Sequence, residues 1–525
     1  MILSSPHPDL LLPDVSFSEY VLRNIQKHGN EIALISADDN GKAYTYSELY
    51  ESVLRCAGAL FNLGVKKGDV VAVALGNRAE FPIIVLATAA CGAILTTCNP
   101  NYTADEITKQ FLHSKPSVVF VESGGLQTMI KVAEEAETIK QIFTAEKHSR
   151  CKSVWDLIAE TGRKDFPFDV RPETKETPFY LPYSSGTTGL PKGVVLTHSN
   201  MVAIVALTGL AFAPSKKDCY YLVLPLFHIY GTMTIFTNLI QGIKTVLQRR
   251  FSVESFLHCV QEYKVTKTTA VPPMILAIYN SPLLSKYDTS SLQSLFSGAA
   301  PLPETVGFEV MKKLNLRVVQ GWGLTEAVPL TATKDEQTPL KSIGKVIQNT
   351  KIKVVDTETG QELNCNENGE ICVKGPQVMK GYYKNPEATA GCIDVDGWFH
   401  TGDIGYFDKF GHIYIIDRLK ELIKVKGFQV APAELEELLL RHPSVTDVAV
   451  IGIPDLKSGE LPQAYLVVND RSVTENDIHK FIEGRVSPYK YLKGGVVFCD
   501  VIPKSASGKI LRRELRARAA AKAKL

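Results

Sequence analysis

The chain has 525 residues, of which 45% are hydrophobic and 22% charged, and its formal net charge is +2. A chain this long exceeds the size at which one core usually stops growing, so two or more folding units are expected, and the ordinary composition excludes a disordered or fibrous protein. The near-neutral charge gives no bulk electrostatic reason to expect nucleic acid as a partner. The ten cysteines are scattered without CxxC pairs or histidines at zinc spacing, which suits a reducing compartment. "MILSSPHPDLLLPD" has prolines and acids where a secretory signal would carry a basic segment and an apolar run, so no such signal is expected.

In chain order, Tyr44 to Gly64 carries apolar positions at helical spacing with Ser47 as the expected N-cap, and "DVVAVAL" (69–75) follows as a buried strand. The uncharged segment from Phe81 to Ala104 is interrupted by Pro82, Gly92, Asn99, Pro100 and Asn101. It reads as a buried helix leading into a short strand rather than a membrane span. Further short apolar runs near Val118, Val223, Ala270 and Val318 alternate with helical patterns, which predicts layered α/β architecture with largely parallel sheets. Near Asp417 the texture changes. A hairpin turning at Asp408 to Gly411 leads to a helix at "AELEELLLRHP", strands at "DVAVIGI" and "QAYLVVN", a helix capped by Thr474 and Asp477, and a strand at "GVVFCDV". This is a second, smaller domain.

"YSSGTTGLPKG", Tyr183 to Gly193, surrounds one lysine with small hydroxyl and glycine residues. Such a loop brings backbone N–H groups close together without obstruction and suits phosphate oxygens, although a flexible polar surface loop has the same composition. It is not an ordinary P-loop, because Lys192 is followed by Gly193 rather than Ser or Thr. "LPLFHIYG" sets His228 between Phe227 and Tyr230, where a histidine is commonly a satisfied core residue. "SGAAP" (297–301) and "QGWGLTE" (320–326) each end a predicted strand with glycines, the place where open α/β sheets bind ligands. Trp322 offers a stacking face for a planar base, Glu326 a hard oxygen ligand for magnesium riding on phosphates, and Asp403 in "GWFHTGDIG" a partner for ribose hydroxyls. "DRLKELIKVKGFQV" (417–430) supplies Arg418 and three lysines, and "PKSASGKILRR" (503–513) presents Lys509 from a Ser/Gly loop.

Taken together and in this order, "YSSGTTGLPKG", "QGWGLTE", "TGD", "DRLKELIKVKGFQV" and "PKSASGK" resemble the adenylate-forming superfamily, and "FHIYG" with "SGAAPL" is most similar to its 4-coumarate:CoA ligase and luciferase-like acyl-CoA synthetase branch. The resemblance runs from Tyr44 to Arg513. It implies a large N-terminal AMP-binding domain of layered α/β subdomains at 1–416, a hinge at 417–420 centred on Lys420, and a small mobile α+β domain at 421–525. It implies an ATP-dependent acyl-CoA synthetase that adenylates a carboxylic acid and transfers the acyl group to coenzyme A, releasing AMP and pyrophosphate. By the same resemblance Ser184, Ser185, Gly186, Thr187, Thr188 and Lys192 hold the phosphates, with Glu326 and Ser184 on Mg²⁺. Gln320, Gly321 and Thr325 line the AMP site, Trp322 covers the adenine, and Asp403 with Arg418 takes the ribose. Lys509 is the adenylation lysine, His228 lies near the carboxylate, and Tyr230 with Ala299 lines the acyl pocket. On the other face of the small domain come Lys424, and Lys426 with Gly427 along the pantetheine path. Arg250 stands where relatives place a lysine near the CoA phosphate.

Trp322 replaces the more common tyrosine, and Tyr230 replaces a smaller surface typical of beetle luciferases. A medium- or long-chain fatty acid or an arylpropanoid such as 4-coumarate is the expected substrate class. A luciferase-like monooxygenase, an adenylation module charging a carrier protein, and a degenerate nucleotide-binding scaffold are the alternatives. The C-terminal Ala523, Lys524 and Leu525 resemble a peroxisomal address read by the import receptor, against the alternative of an Ala- and Arg-rich helix ending in solvent.

Overall fold

Val70–Ala74 is apolar at every position and buried on both faces, the pattern of a central parallel strand. It pairs in parallel with Ile94–Thr97 and Val118–Val121. The computed structural model describes the chain except residues 162–172, 185–190, 213–214, 301, 333–337, 427, 506–507 and 523–525, and the side chains of 161 and 522. Around that strand an eight-stranded sheet forms, closed on one side by the antiparallel strands Lys192–Thr197 and Gly381–Tyr382. A second sheet of seven strands has Arg317–Gln320 at one edge, next to Ser294–Ser297 and Lys267–Ala270, and is parallel except for the hairpin pair Ile32–Ser36 and Lys42–Thr45.

Helix Glu80–Ala90 is buried at every residue, as a helix apolar all round must be. It shares one core with Phe179, Tyr180 and Phe236, side chains that belong to both sheet systems. Phe81 to Ala104 is therefore the buried helix and short strand that its breakers predict. No helix among the described residues is long and apolar enough to cross a membrane. A third, antiparallel sheet joins Ile2–Ser4, Lys351–Val355, Gly369–Lys374, Phe399–Phe407 and Ile413–Arg418, the last two forming the expected hairpin. Beyond it Ile423–Val425, Phe428–Val430, Val445–Asp455, Gly459–Val468 and Val496–Phe498 build a small sheet with its own core around Leu435, Val450 and Ile478.

One local expectation is corrected. The helix Tyr46–Asn62 is capped by Thr45, whose hydroxyl accepts from the Glu48 backbone N–H while the Glu48 carboxylate accepts from the Thr45 N–H. Ser47 lies inside the first turn, because the reciprocal box needs an acid three residues after the cap and only Thr45 has one. The Thr474 and Asp477 box forms as read.

The two large sheets are tied by Asn77, 3% exposed, at the loop after Val70–Ala74. Its amide donates to the Leu224 and Gln248 carbonyls at 3.0 Å each, and its oxygen accepts from the Leu226 N–H at 2.9 Å. Asn77→Leu leaves three buried backbone groups without partners, so we predict a loss of about 3 kcal/mol, read as a lower urea midpoint for the large domain. An unchanged midpoint contradicts this role for the amide.

Candidate active site

The parallel strands Ser294–Ser297 and Arg317–Gln320 end side by side, and their glycine-rich continuations open into a cavity. This is the carboxyl end of an open α/β sheet, where such folds place ligands. Gly298 has no room for a side chain, since a Cβ there would lie 2.9 Å from the Tyr230 hydroxyl. Ala299 holds φ +69°, a strained conformation for a residue with a side chain, and lines the cavity with Gly321, Trp322 and Thr325. Gln320 is placed differently. Its side-chain oxygen accepts from the Leu302 N–H, and its amide donates to the Leu340 carbonyl, so it braces the strand end from behind.

His228 caps the helix Ile229–Gln241, its Nδ1 accepting from the Tyr230 N–H at 3.3 Å. Burial, with the Lys509 charge adding to it, pushes its pKa down to about 3, so the ring is neutral at physiological pH. A neutral imidazole with Nδ1 as acceptor carries its proton on Nε2, which makes it a donor into the cavity that His228 lines.

Trp322 does two things. It lines the cavity, and its indole N–H donates to Asp403 Oδ2 at 2.9 Å. The other oxygen of Asp403 takes Arg418 Nε at 2.7 Å, and the two residues face each other in strand register. Burial raises the Asp403 pKa, with Arg418 and the indole opposing it. Each carboxylate oxygen has one such partner and a second lone pair, so two neighbouring hydroxyls have acceptors.

The phosphate-type loop is pinched at its neck, where Ser184 pairs with Lys192 and Tyr183 with Gly193. Ser185, Gly186, Thr187 and Thr188 lie outside the described residues. His113 Nδ1 lies 2.7 Å from the Tyr183 hydroxyl and so ties this neck to the helix Ala104–Ser114. Next to the neck stands Tyr382, which the sequence reading missed. Its hydroxyl donates to Glu326 Oε1 at 2.9 Å and its ring lies under Lys192 Nζ at 4.8 Å. Burial, followed by the Glu326 charge, raises the Tyr382 pKa, so the phenol stays a donor. The signal available in the sequence was "GYYKN", an aromatic pair beside a glycine, and nothing in it points to a carboxylate 56 residues away.

Lys509 enters this site from the small domain. It lines the cavity, and Gly508 beside it packs where a Cβ would lie 3.1 Å from Val271 of the large domain. Burial and Arg418 lower the lysine's pKa, while Glu326 and Asp403 raise it, which places all three charges within its field. Lys424 and Lys426 are exposed on the small domain and are not brought to the cavity. Lys420 is exposed in the turn after Arg418, Arg250 is exposed at the end of Lys244–Leu247, and Gly427 lies outside the described residues.

Glu326 offers a carboxylate and Ser184, at the loop neck, a hydroxyl, which are hard oxygen donors of the kind that Mg²⁺ bound to phosphates takes. A separate trio, Glu370, Cys372 and His400, sits on the third sheet with donor atoms within 4.8 Å of one another. Its members bond each other, His400 Nδ1 lying 2.8 Å from Glu370 and 3.4 Å from Cys372 Sγ, and burial holds the thiol up at about 12. All ten cysteines are free thiols.

Comparison with known proteins agrees with this geometry. Residues 21–383 match the AMP-binding enzyme family and residues 434–509 its C-terminal domain. The chain is 40% identical over 534 residues to 4-coumarate–CoA ligase 1 of Petroselinum crispum, covering 99% of this chain and 97% of that one. It is 41% identical over 547 residues to 4-coumarate–CoA ligase 2 of Oryza sativa subsp. japonica, covering 99% and 95%. Among solved structures it superposes on the o-succinylbenzoate CoA synthetase of Bacillus subtilis in complex with its acyl-adenylate intermediate, with TM-score 0.82 and 30% identity over 95% of this chain and 97% of that one. It is also similar to ATP-bound MatB from Rhodopseudomonas palustris, with TM-score 0.88 and 26% identity over 95% and 98%, against 0.77 for the apo form of that enzyme at 27% identity and the same coverage. With a nucleotide-type cavity at the strand ends and a lysine delivered to it from a second domain, the chain belongs to the AMP-binding enzyme family of adenylate-forming acid–CoA ligases.

Proposed function

We propose that the protein joins an apolar carboxylic acid to coenzyme A in two half-reactions, and that the arrangement described here is the one that serves the first. The observation that carries this reading is the placement of Lys509 in the cavity that His228 also lines, within the electrostatic reach of Asp403 and Glu326, while Lys424 and Lys426 face solvent. In the first step a carboxylate oxygen attacks the α-phosphorus of ATP and the bond to pyrophosphate breaks, leaving a mixed anhydride. In the second the CoA sulfur attacks the acyl carbon, the thiol proton is lost and AMP leaves with the former carboxylate oxygen.

The chain's own groups suit the first step. Lys509 neutralises charge between two anions that must approach each other, and positioned cations are the main source of rate in phosphoryl-type transfers. His228 Nε2–H donates to the acid's carboxylate, Asp403 takes the ribose hydroxyls, Trp322 covers the adenine, and Tyr230 and Ala299 line the acyl pocket. Ser184 and Lys192 hold the departing phosphates. Glu326, aided by Ser184, would hold Mg²⁺, which supplies charge neutralisation on the phosphates when bound.

For the second step we propose that residues 421–525 turn about the hinge at 417–420, withdrawing Lys509 and presenting Lys424, Lys426 and Gly427 to the CoA arm. The match to an ATP-bound relative over its apo form supports assigning the present arrangement to the ATP-binding half. Acids of fatty or arylpropanoid type are the proposed substrates. A peroxisomal location, through Ala523, Lys524 and Leu525, is proposed from sequence alone, since these residues lie outside those described.

The direct test is pyrophosphate release across fatty acids and cinnamates, with and without CoA, for the wild type and Lys509→Ala. The variant should lose at least 100-fold in adenylation yet retain thioester formation from supplied acyl-AMP, since one positioned cation in a dry site contributes several kcal/mol. Equal loss of both steps contradicts the two-face assignment. Tyr382→Phe keeps the ring under Lys192 and removes the bond to Glu326, so it should raise the Mg²⁺ concentration needed for half-maximal pyrophosphate release several-fold. It should also weaken Mn²⁺ retention on the ATP complex measured by EPR, and an unchanged metal requirement refutes the link. Deleting Ala523 to Leu525 should leave a fluorescent fusion diffuse in cells, and undiminished import into peroxisomes overturns the tail reading.

A further inference from the structure

The strands Gly369–Lys374 and Phe399–Phe407 bring three unlike donors to one face of the third sheet. Cys372 and His400 are cross-strand partners in register, and Glu370, two positions before Cys372, shares their face. The register shifts between Glu370 and Cys372, so the partner strand bulges at Thr401 to Asp403, where Gly402 holds φ +69°. Glu370 spans this bulge. Its Oε1 accepts from the Gly402 N–H at 2.9 Å, which leaves Oε2 to His400 Nδ1 at 2.8 Å.

Cys372 Sγ lies 3.4 Å from the same nitrogen, and all three donor atoms lie within 4.8 Å of one another. A tetrahedral zinc ion, with bonds of about 2.3 Å to sulfur and about 2.1 Å to nitrogen and oxygen, sets its ligands roughly 3.4 to 3.6 Å apart. The sulfur and nitrogen already stand at that spacing, and the carboxylate reaches it by moving out roughly half an ångström. The Glu370 side chain is 14% exposed and that of His400 34%, so the carboxylate has room to move and a fourth position opens to water.

The surroundings suit a metal-bound histidine. His400 Nε2 faces Asp394 Oδ2 at 3.6 Å, and an outer carboxylate of this kind fixes the tautomer of a ligating imidazole. Asp394 is itself held, its other oxygen accepting from the Asp396 and Trp398 N–H groups. Trp398 and Val355 pack with Cys372 as an apolar wall behind the thiol. The neighbouring cations are engaged elsewhere: Lys353 lies over the Trp398 ring at 4.7 Å and near Glu362 at 3.9 Å, and Lys374 donates to the Asp396 carbonyl at 2.6 Å.

From these positions we infer a zinc-class site in which Cys372 Sγ, His400 Nδ1 and Glu370 Oε2 hold one Zn²⁺ and water takes the fourth place. A thiolate and an imidazole beside one carboxylate select zinc over magnesium, which takes oxygen ligands. On binding, the thiol proton leaves to solvent and the imidazole proton sits on Nε2, toward Asp394. The ion clamps two strands at the bulge that carries Asp403, whatever acid the cavity takes.

The test uses the full chain, stripped with a chelator and titrated with Co²⁺ as a spectroscopic stand-in for zinc. One equivalent should produce a thiolate-to-cobalt charge-transfer band, which oxygen ligands such as Glu326 do not give. Absence of that band in the wild type overturns the inference. Cys372→Ser should abolish the band, while Cys151→Ser, whose thiol bonds Ile142 of another sheet, should keep it. A band that survives Cys372→Ser puts the ion on another thiol and equally overturns the inference. In competition with a chromophoric chelator, Asp394→Asn, which leaves all three ligands in place, should weaken Zn²⁺ about 10-fold, and His400→Gln by about 100-fold or more. Should Cys372→Ser fail to fold, these two affinities decide, and values equal to the wild type refute the site.

Discussion

The Asp403 carboxylate joins parts of the molecule that would otherwise be independent. Its oxygens take the Trp322 indole at the end of the parallel sheet and the Arg418 guanidinium where the chain leaves the large domain. The hairpin register that puts Asp403 opposite Arg418 thus links the wall of the nucleotide-type cavity to the segment on which the small domain would turn. The same link explains why the aspartate is buried although burial works against its charge. A guanidinium on one side and an N–H on the other offset part of that cost. The neighbouring Asp417 carries the constraint further, accepting from the Ala433 N–H, and burial pushes its pKa up to about 6.

A second consequence concerns charge. Three acids and bases around Lys509 act on it in opposite senses, Arg418 with burial lowering its pKa and Glu326 with Asp403 raising it. In the proposed mechanism, filling the site with the triphosphate would add negative charge beside the lysine and losing pyrophosphate would remove it, so the attraction holding the small domain in place would weaken once the first step is complete. That gives a physical reason for two lysine-bearing faces to work in succession. The loop neck repeats the theme on a smaller scale, where one phenol, Tyr382, steadies a cation on its ring and an anion on its hydroxyl.

Much of this was legible in the chain. Buried parallel strands announce themselves as unbroken apolar runs, and Val70–Ala74 and Val118–Val121 fold as read. Glycines at strand ends marked the cavity, where Gly298 and Gly321 leave room for the Tyr230 and Phe296 rings that line it. The ordered set of motifs then named the residues, and Trp322, Thr325, His228, Tyr230, Ala299 and Lys509 meet in one cavity. What was not legible depends on distant pairing. Gln320 looked like a ligand residue, but its amide braces Leu302 and Leu340. Tyr382 and His113 acquire roles only because folding sets them against Glu326 and Tyr183. The apolar part of the cavity lining likewise comes from Phe212, Met233 and Phe296, residues spread over 85 positions whose common destination no local pattern reveals.

The central claim is a bound adenylate that waits for CoA, and a single-turnover experiment tests it most directly. Enzyme in excess is mixed with ATP labelled in the adenine and an apolar acid, without CoA, then quenched and resolved for acyl-AMP before and after a CoA chase. The two-step mechanism predicts an acyl-adenylate held close to one per active site, converted by the chase to thioester and free AMP in equal amounts. A thioester formed with no preceding adenylate, or an adenylate that CoA does not consume, would contradict it.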